Sequence, residues 1–384
     1  MAKRDLYIPE RPEELTPTWL NEVLAARLGD NKIVDAPQTI LGEGEGFVGD
    51  IVQLKLKYER ESEDLPASII AKMPKLANRA MGELLGAYER ENMFYMTMGD
   101  DLPVRSPLLY YGEFDRDAGS EKQEQILRAA NKIPNFLQGL LTRFAWWMAA
   151  GKKRRYILLI EDISGAQPCD QLQGVNREQY QKILEATARL HADFWQSDRL
   201  QGQFWLLPLD VDIEMRHQMM VRARQAYTNL FPETVAAGMD RYLDEVERDG
   251  TSLAHSLCDG PVTLMHGDLR LDNLFFADDE VLFIDWQLVR RGAPMYDIAY
   301  LLSCGLDDKE SAQPLIQAYY AALVAEGIND YSLEDAWRDY QTALKVVLMI
   351  LSSVDQVDLG AGRGVTLLEK WMARLLNRLE ADCD

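Results

Sequence analysis

The chain has 384 residues and a formal net charge of −21 at pH 7; 47% of the residues are hydrophobic and 27% are charged. This composition is typical of a folded globular protein, and the length allows two or three lobes. The acidic balance argues against nucleic acid as a partner, because phosphate backbones require a basic face. The four scattered cysteines indicate neither a disulfide framework nor a zinc site.

The sequence contains no pattern of a secretory signal or a membrane anchor. Residues 1–10 are charged and lack an apolar run, and no apolar stretch approaches the roughly 18 residues that cross a bilayer. We therefore expect a cytoplasmic protein without stable membrane insertion.

The first hundred residues predict a small lobe rich in β-structure. Thr16 before Pro17 predicts the start of an amphipathic helix that ends at Gly29. Residues 51–58 and 68–73 have the alternation or the apolar content of strands, and residues 82–98 have helical spacing. One helix packed on a small sheet is the expected arrangement.

A turn rich in glycine precedes the first long predicted strand. It contains Gly42, Gly44, Gly46 and Gly49. Glycine lets the backbone approach phosphates closely and direct its N–H groups at them. Many hairpins contain such a run, so the turn alone is weak evidence for a nucleotide site.

Lys72 lies inside an apolar strand, where a charged side chain is unexpected. It is either an edge-strand lysine that reaches water or a ligand of the α- and β-phosphates of a nucleotide. The second role requires a glutamate from the following helix. Glu89 and Glu91 are two residues apart and point to different faces, so only one of them can serve. Glu91 shares its face with Phe94 and is the preferred partner.

Residues 119–155 form an apparent insertion between a strand that contains Pro107 and an apolar run that begins at Leu158. Apolar residues recur there at helical spacing, which predicts an extra pair of helices. Three interpretations remain open: a packed core of the insertion, a lid over an acceptor site, or a helix on a membrane surface. The acidic charge disfavours the membrane. A wide apolar stripe rarely stays bare, so we expect packing on the body, on a second copy in a homodimer, or over the acceptor pocket, with a lid preferred.

The most informative segment lies between two apolar runs at residues 262–286. His266, Asp268 and Asn273 form an H-x-D-x-x-x-x-N pattern, and Asp285 follows a short strand-like run. Phosphoryl transfer needs a carboxylate that accepts the proton of the acceptor hydroxyl, and an Asn and an Asp that hold magnesium. A polar turn is the alternative interpretation. The order of glycine turn, lysine, glutamate, H-x-D-x-x-x-x-N and second aspartate favours catalysis.

These motifs resemble those of small-molecule kinases of the aminoglycoside phosphotransferase and choline kinase superfamily, and the likeness is closest to the ecdysteroid-kinase-like branch. The resemblance covers most of residues 15–375. The segments that carry it are Gly42–Phe47, Pro66–Lys72, Glu91–Tyr95, Leu158–Asp162, Ala188–Ala192, Phe194–Trp195, His266–Asn273, Ile284–Gln287 and Tyr296–Leu302.

The resemblance implies an α+β fold of the two-lobed, protein-kinase-like type that uses ATP and Mg²⁺. An N-lobe (1–157, with the helical insert at 119–155) would precede a hinge (158–165) and a mainly helical C-lobe (166–384) that holds the catalytic loop and the acceptor pocket. Backbone groups near Glu161 and Ile163 would meet the adenine. Asp297 would stabilise the catalytic loop, while His191 and His266 would be structural.

The expected function is transfer of the γ-phosphoryl group of ATP to a hydroxyl of a small organic molecule. Asp268 would be the catalytic base and Asn273 and Asp285 the metal ligands. The acceptor stays open. Aromatic residues of the C-lobe favour a steroid-like or other alcohol, whereas nearby carboxylates favour an aminoglycoside or choline-like cation. These residues are Trp195, Trp205, Tyr227, Phe231, Trp337, Trp371, Asp210, Asp212 and Glu214. A nucleotide-binding pseudokinase that regulates a partner is the alternative from another class.

Overall fold

The structure is a computed structural model that describes residues 6–41, 49–75, 79–116, 122–133, 151, 154–307, 310–353 and 363–383. Its strands are β1 (Ile33–Asp35), β2 (Gln38–Leu41), β3 (Gly49–Lys55), β4 (Lys57–Tyr58), β5 (Ser68–Pro74), β6 (Leu109–Phe114), β7 (Tyr156–Glu161), β8 (Gln167–Pro168), β9 (Thr263–Met265), β10 (Leu274–Ala277), β11 (Glu280–Phe283) and β12 (Arg290–Gly292).

The helices follow the same chain order. They are α1 (Pro17–Val23), α2 (Ala25–Leu28), α3 (Arg79–Leu85), α4 (Ala87–Thr97), α5 (Gln123–Ala130), α6 (Arg177–Asp193), α7 (Ile213–Leu230), α8 (Pro232–Thr234), α9 (Asp240–Cys258), α10 (Pro294–Gly305), α11 (Gln313–Ala325), α12 (Leu333–Ser352) and α13 (Arg363–Cys383). Short 3-10 helices lie at Pro12–Glu14, Asp198–Leu200, Leu271–Asn273 and Trp286–Leu288, and Val235–Met239 is a π-helix.

A five-stranded antiparallel sheet dominates the first part of the chain. Its strand order is β2-β3-β5-β7-β6, so the strand that carries Lys72 is central. One face of the sheet covers an apolar cluster with α1, in which Leu20 and Val52 are fully buried. The other face packs on α4 and continues into the helical core through Ile70 and Phe94. The sheet therefore holds Lys72 between two packed layers.

The predicted elements of this region exist, but several are interrupted. The hydroxyl of Thr16 caps the first helix by accepting the N–H of Trp19 at 3.3 Å, yet the helix breaks at Leu24 before it ends at Gly29. The strand expected at 51–58 is split between β3 and β4, which belong to different sheets. Gly86, with φ of +65°, separates α3 from α4.

The strand expected around Pro107 begins two residues later, at Leu109. Proline has no N–H to donate to a strand ladder, which explains the late start.

The second part of the chain is mainly helical and has one large apolar core. Helix α12 packs on α9 and α10 within this core, where residues such as Leu301 and Val347 are fully buried. The short strands β9–β12 form two small sheets at the edge of this core. The α+β class predicted from the sequence is confirmed. No helix among the described residues is long and apolar enough to cross a membrane.

Of the predicted insert, only the beginning and the end lie within the described residues. Helix α5 contacts the helical part of the molecule: Glu124 accepts a hydrogen bond from Arg291 at 2.9 Å, and Asn131 donates to the carbonyl of Val211 at 3.1 Å. At the other end, Arg154 pairs with Glu83 and Glu89 at 2.7 and 2.8 Å. These parts of the insert pack on the body of the protein; the rest of the 119–155 prediction falls outside the described residues.

Candidate active site

The H-x-D-x-x-x-x-N segment forms a tight loop between β9 and β10. Strand β9 ends at Met265, and the loop turns back at Gly267, whose φ is +78°. A Cβ atom at Gly267 would lie 2.1 Å from the carbonyl oxygen of Leu288. Glycine is needed here both for the left-handed backbone and for the close approach of this second chain segment.

Asp297 holds the loop by hydrogen bonds to the loop backbone. Its two carboxylate oxygens accept the N–H of His266 at 2.6 Å and the N–H of Gly267 at 2.9 Å. His191 lies 3.3 Å from the same carboxylate and 2.7 Å from the hydroxyl of Tyr319, and all of these side chains are buried. These contacts agree with the structural roles expected of Asp297 and His191.

His266 also holds the loop by hydrogen bonding. Its Nε2 lies 2.9 Å from the carbonyl oxygen of Ile284, the residue before Asp285. The Nδ1 atom accepts the N–H of Asp268 at 3.3 Å, which requires the proton on Nε2. A neutral His266 therefore links the two segments that carry the predicted catalytic and metal-binding carboxylates.

Asp268 and Asn273 contact each other directly. The amide nitrogen of Asn273 donates to the carbonyl oxygen of Asp268 at 2.9 Å and to its Oδ2 at 3.0 Å. Because both partners are acceptors, the amide oxygen of Asn273 must face the opposite side. Arg270 Nε lies 3.6 Å from Asp268 Oδ2. Asn273 thus holds the carboxylate of Asp268 in one orientation.

Lys72 is shared by two carboxylates from different parts of the chain. Its ammonium lies 2.5 Å from Glu91 Oε1 on α4 and 2.8 Å from Asp285 Oδ1. Burial alone would lower the pKa of Lys72, but the two negative charges raise it above its usual value. Glu89 instead pairs with Arg154. The structure therefore places Glu91, and not Glu89, beside Lys72.

The two carboxylates beside Lys72 differ in their electrostatics. Burial and the charge of Asp285 raise the pKa of Glu91 despite the neighbouring lysine. Burial would also raise the pKa of Asp285, but the charge of Lys72 prevails and lowers it. Asp285 is therefore the stronger anion of the pair, as a ligand for a cation should be.

Packing of aromatic rings supports this arrangement. Trp286 stacks on Phe94 of α4 with ring centroids 4.2 Å apart, and its indole nitrogen donates to Ser106 Oγ at 3.0 Å. Asp285 itself adopts a left-handed backbone with φ of +65°. The helix that carries Glu91 is thus packed directly on the segment that carries Asp285.

The oxygen atoms near Lys72 and Asp268 fit a magnesium–nucleotide complex. Asn273 presents its amide oxygen, and Asp285 Oδ2 has only a weak contact of 3.2 Å from Gln287 Nε2. Mg²⁺ is typically held by one or two protein oxygens and completed by phosphates and water. Within the described part of the chain, no group of three or more His, Cys, Asp or Glu residues could hold a metal by itself. The set fits a cation that arrives with phosphates.

The predicted adenine contacts lie at the end of strand β7 and just after it. Glu161 ends the strand, and its N–H donates to the carbonyl of Leu108 at 2.9 Å, while the carbonyl of Ile163 accepts the N–H of Ala166 at 2.8 Å. Asp162 accepts hydrogen bonds from Gln53 at 2.7 Å and Ser68 at 2.5 Å. These bonds fix the linker to the sheet.

The predicted phosphate turn is described only at its end. Gly49 is the first residue of β3 and pairs with Pro74. Gly42, Gly44 and Gly46 lie outside the described residues, so their role stays a prediction.

The aromatic residues expected to line the acceptor pocket lie mostly in the core. Trp205, Tyr227, Phe231 and Trp371 are buried, and Trp371 donates to Ser303 Oγ at 3.1 Å. These four rings pack inside the C-lobe, so an aromatic wall of the acceptor pocket built by them stays a prediction. Trp195 is half-buried and bonds to Asp330 at 3.1 Å.

A buried group of charged residues was not predicted from the sequence. It consists of Arg90, Asp212, Arg216 and Arg290, and is called the arginine cluster below. Asp212, expected as an acidic residue of the acceptor pocket, is engaged by Arg216 and Arg290 and is not available to a cationic substrate. The available signal was the position of Arg90 on the apolar side of its helix, next to Glu91.

Comparison with known proteins identifies relatives of this arrangement. A family model described as the ecdysteroid kinase-like family matches residues 122–328, more than half of the chain. A search of curated protein sequences finds no match.

Among solved structures, a choline kinase from Cryptosporidium parvum Iowa II is 10% identical, with 90% of this chain and 89% of that chain covered and a TM-score of 0.51. A choline kinase from Streptococcus pneumoniae is 14% identical over 94% of this chain and 98% of that one, with a TM-score of 0.47. An aminoglycoside phosphotransferase from Streptomyces rimosus, solved with ADP and streptomycin, is 16% identical over 87% and 97%, with a TM-score of 0.45. At 10% identity the likeness to the choline kinase from Cryptosporidium parvum Iowa II shows the fold alone, and the kinase-like fold expected from the sequence is confirmed.

Proposed function

The chain belongs to the ecdysteroid kinase-like family, and we propose that it is an ATP-dependent phosphotransferase that acts on a hydroxyl of a small organic molecule. This proposal rests on one connected set of side chains. Lys72 contacts both Glu91 and Asp285, His266 links the Asp285 segment to the loop of Asp268, and Asn273 orients Asp268. Each group required for phosphoryl transfer to an alcohol is present in this set.

The reaction follows from the positions of these side chains. The acceptor hydroxyl oxygen attacks the γ-phosphorus, the bond to the β-γ bridging oxygen breaks, and ADP leaves. The proton of the hydroxyl passes to the carboxylate of Asp268, which Asn273 holds in place. Lys72 contacts the phosphates and is itself held by Glu91. Asn273 and Asp285 would hold Mg²⁺, which, when bound, neutralises the charge of the phosphates.

Most of the catalytic effect would come from positioning and from fixed charges. The loop that carries Asp268 is held by two charge-assisted hydrogen bonds to Asp297, so little reorganisation is needed when the acceptor binds. Rigid placement of the base next to the acceptor hydroxyl provides the orientation that a bimolecular reaction in water lacks.

The test is a screen of ATP consumption over a diverse library of alcohols, with the products identified by mass spectrometry. The library should include steroid alcohols, sugars, amino alcohols and hydroxy acids. The expected result is an acceptor-dependent product heavier by one phosphoryl group, absent with the Asp268→Asn variant. Binding of magnesium and ATP without turnover of any alcohol would refute this proposal and favour a pseudokinase that regulates a partner.

A further inference from the structure

The arginine cluster is electrostatically unbalanced. The carboxylate of Asp212 receives two hydrogen bonds of 2.8 Å from Arg290 and one of 3.0 Å from Arg216 Nε. Arg90 contributes a third guanidinium, which donates to the carbonyls of Leu85 at 2.8 Å and Gln287 at 3.2 Å. Three guanidinium groups therefore share one hydrogen-bonded carboxylate in a protein whose net charge is −21.

Glu89 acts on Arg90 and Asp210 acts on Arg290, but within the described part of the chain neither carboxylate forms an ion pair with the cluster. Asp210 faces His255 and Arg128 at 3.3 and 3.6 Å, Glu214 lies 3.6 Å from His255, and Glu89 pairs with Arg154. Burial and the positive charges of Arg290 and Arg216 lower the pKa of Arg90 to about 9. Buried charge without a counter-ion is costly, so a surplus of positive charge indicates a place for an anion.

Several donors of the cluster have no partner. Arg90 Nε is buried and makes no hydrogen bond. The two terminal nitrogens of Arg216 have no partner among the described residues, although its side chain keeps only 12% of its surface accessible. Asp212 holds the guanidinium of Arg216 by Nε alone, which leaves the forked end available.

The cluster lies next to the proposed catalytic base. Arg290 in β12 pairs with Met265, the residue before His266. Tyr296 packs beside Tyr300 with ring centroids 5.8 Å apart, and Tyr300 in turn interacts with Asp268. The charges of Arg216, Arg290, Asp297 and Asp268 all act on the buried hydroxyl of Tyr296. Among the described residues the Tyr296 hydroxyl makes no hydrogen bond.

We propose that the acceptor carries a carboxylate, which binds the forked end of Arg216 and the hydroxyl of Tyr296 while the reacting hydroxyl lies at Asp268. The inference rests on the proposed function and adds the chemical class of the acceptor. A guanidinium offers two parallel N–H donors that match the two oxygens of a carboxylate. The acidic surface does not prevent this binding, because salt screens charges beyond roughly 8–10 Å.

This inference changes the preferred acceptor from a neutral alcohol to a hydroxy acid. A cation, such as an aminoglycoside or a choline-like substrate, would meet the positive side of the cluster and be repelled. An apolar skeleton between the hydroxyl and the carboxylate remains compatible with the site.

The experiment compares pairs of probes in which one member carries a carboxylate and the other a neutral group at the same position. Cholate and its methyl ester, and glycerate and glycerol, are tested as acceptors with wild type and with Arg216→Gln, Arg216→Lys and Tyr296→Phe. We expect the acid of at least one pair to be phosphorylated with the lower KM. Arg216→Gln should raise that KM roughly 10- to 100-fold, the range for losing a charged hydrogen bond. Arg216→Lys should restore only part of the affinity, since it lacks the fork.

The neutral member of each probe pair is the control for a structural effect. Arg216→Gln should leave the KM of the neutral partner and of ATP within about two-fold, whereas a damaged fold would raise all of them together. Arg222→Gln is the matched variant: Arg222 is exposed on the same helix, and its substitution should change neither KM.

A second measurement separates this inference from the proposed function. Cholate and glycerate should raise the melting temperature of the wild type in the presence of a non-hydrolysable ATP analogue, and Arg216→Gln should abolish the shift. If the acids bind in this way but no alcohol is phosphorylated, the proposed function fails and the anion site stands. If neutral alcohols are phosphorylated as well as their acids, or Arg216→Gln weakens both partners equally, the anion site is overturned.

Discussion

Two polar regions next to the segment Met265–Asp268 differ in how their charges are balanced. Around Asp297, one carboxylate meets two backbone N–H groups and His191, so donors and acceptors match. In the arginine cluster, one carboxylate accepts hydrogen bonds from two guanidinium groups, the third donates to backbone carbonyls, and donors of Arg90 and Arg216 stay without a partner among the described residues.

The difference separates a region that is complete within the chain from one that is completed by a ligand. A fully paired buried network rigidifies its surroundings, whereas a partly paired one is costly unless it serves another purpose. The Asp297 region thus holds the loop of Asp268 in a fixed geometry. The arginine cluster has donors without a partner among the described residues, and the proposed acceptor carboxylate would bind them.

The largest effect is expected when the group that the balanced region positions is removed. Asp268→Asn keeps the shape and the contact with Asn273 but cannot accept a proton. We expect kcat to fall by roughly 10²–10⁴-fold, the usual contribution of a general base, with nucleotide affinity changed only a few-fold. Steady-state kinetics with an identified acceptor and titration of nucleotide binding measure the two effects.

Asp278→Asn is the matched control for this change. Asp278 lies in the exposed turn after β10 with φ of +49°, a conformation that asparagine tolerates. It should behave as wild type. Near-normal turnover of Asp268→Asn would show that the proton goes elsewhere.

The unbalanced region should depend most on its single carboxylate. Asp212→Asn removes the carboxylate that pairs with the buried Arg290 and with Arg216, and we expect a loss of about 3–5 kcal/mol in the free energy of unfolding. Denaturant unfolding at neutral pH measures it. Asp210→Asn, two residues earlier and with only long contacts to Arg128 and His255, should cost much less. Equal losses would mean that the segment, and not the cluster, sets the stability.

The comparison of wild type with Asp212→Asn also predicts how the free energy of unfolding depends on pH. Burial would raise the pKa of Asp212, but the charges of Arg216 and Arg290 hold it well below its usual range. A depressed carboxylate contributes stability that is fully present above the unfolded pKa of about 3.9 and is lost as the pH falls through the folded value. The difference between wild type and Asp212→Asn should therefore be constant from pH 8 to about pH 5 and shrink only below about pH 4.

The balanced region was predictable from the sequence because its chemistry is local. His266, Asp268 and Asn273 lie within eight consecutive residues, and apolar runs on either side mark the strands that hold them. The pairing of Lys72 with Glu91 followed from helix geometry, since two glutamates two residues apart cannot share a face. Breaks in the helices and strands were harder: Gly86 interrupts a helical pattern that apolar spacing alone makes continuous.

The arginine cluster was not predictable in this way. Arg90, Asp212, Arg216 and Arg290 come from three distant segments, and no spacing in the sequence relates them. The positions of aromatic residues were ambiguous for a related reason. A tryptophan such as Trp371 has the same appearance in the sequence whether it lines a pocket or fills a helical core, and here it is in the core.

A glycine of the balanced region allows its close packing to be tested. Gly267→Ala introduces a strained left-handed residue, which costs about 1–2 kcal/mol, and a clash with the carbonyl of Leu288, which adds about 1–3 kcal/mol. Gly327→Ala is the control, because Gly327 also has a positive φ of +95° but nothing lies within 4 Å of the added Cβ. Unfolding experiments should show the larger loss at Gly267, together with reduced kcat. Equal losses would show that the backbone conformation alone requires glycine.

The smallest effect concerns the link between the sheet and α4. Lys72→Met and Glu91→Gln remove the two sides of a 2.5 Å ion pair, and the double variant should lose less than the sum of the singles. We expect a coupling of about 0.5–3 kcal/mol in kcat/KM for ATP, at the lower end because Asp285 still holds Lys72 in Glu91→Gln. Glu89→Gln provides the comparison: it pairs with Arg154, so its combination with Lys72→Met should be additive. Coupling of Lys72 to Glu89 that equals or exceeds its coupling to Glu91 would contradict the geometry and assign the orientation of Lys72 to the other face of the helix.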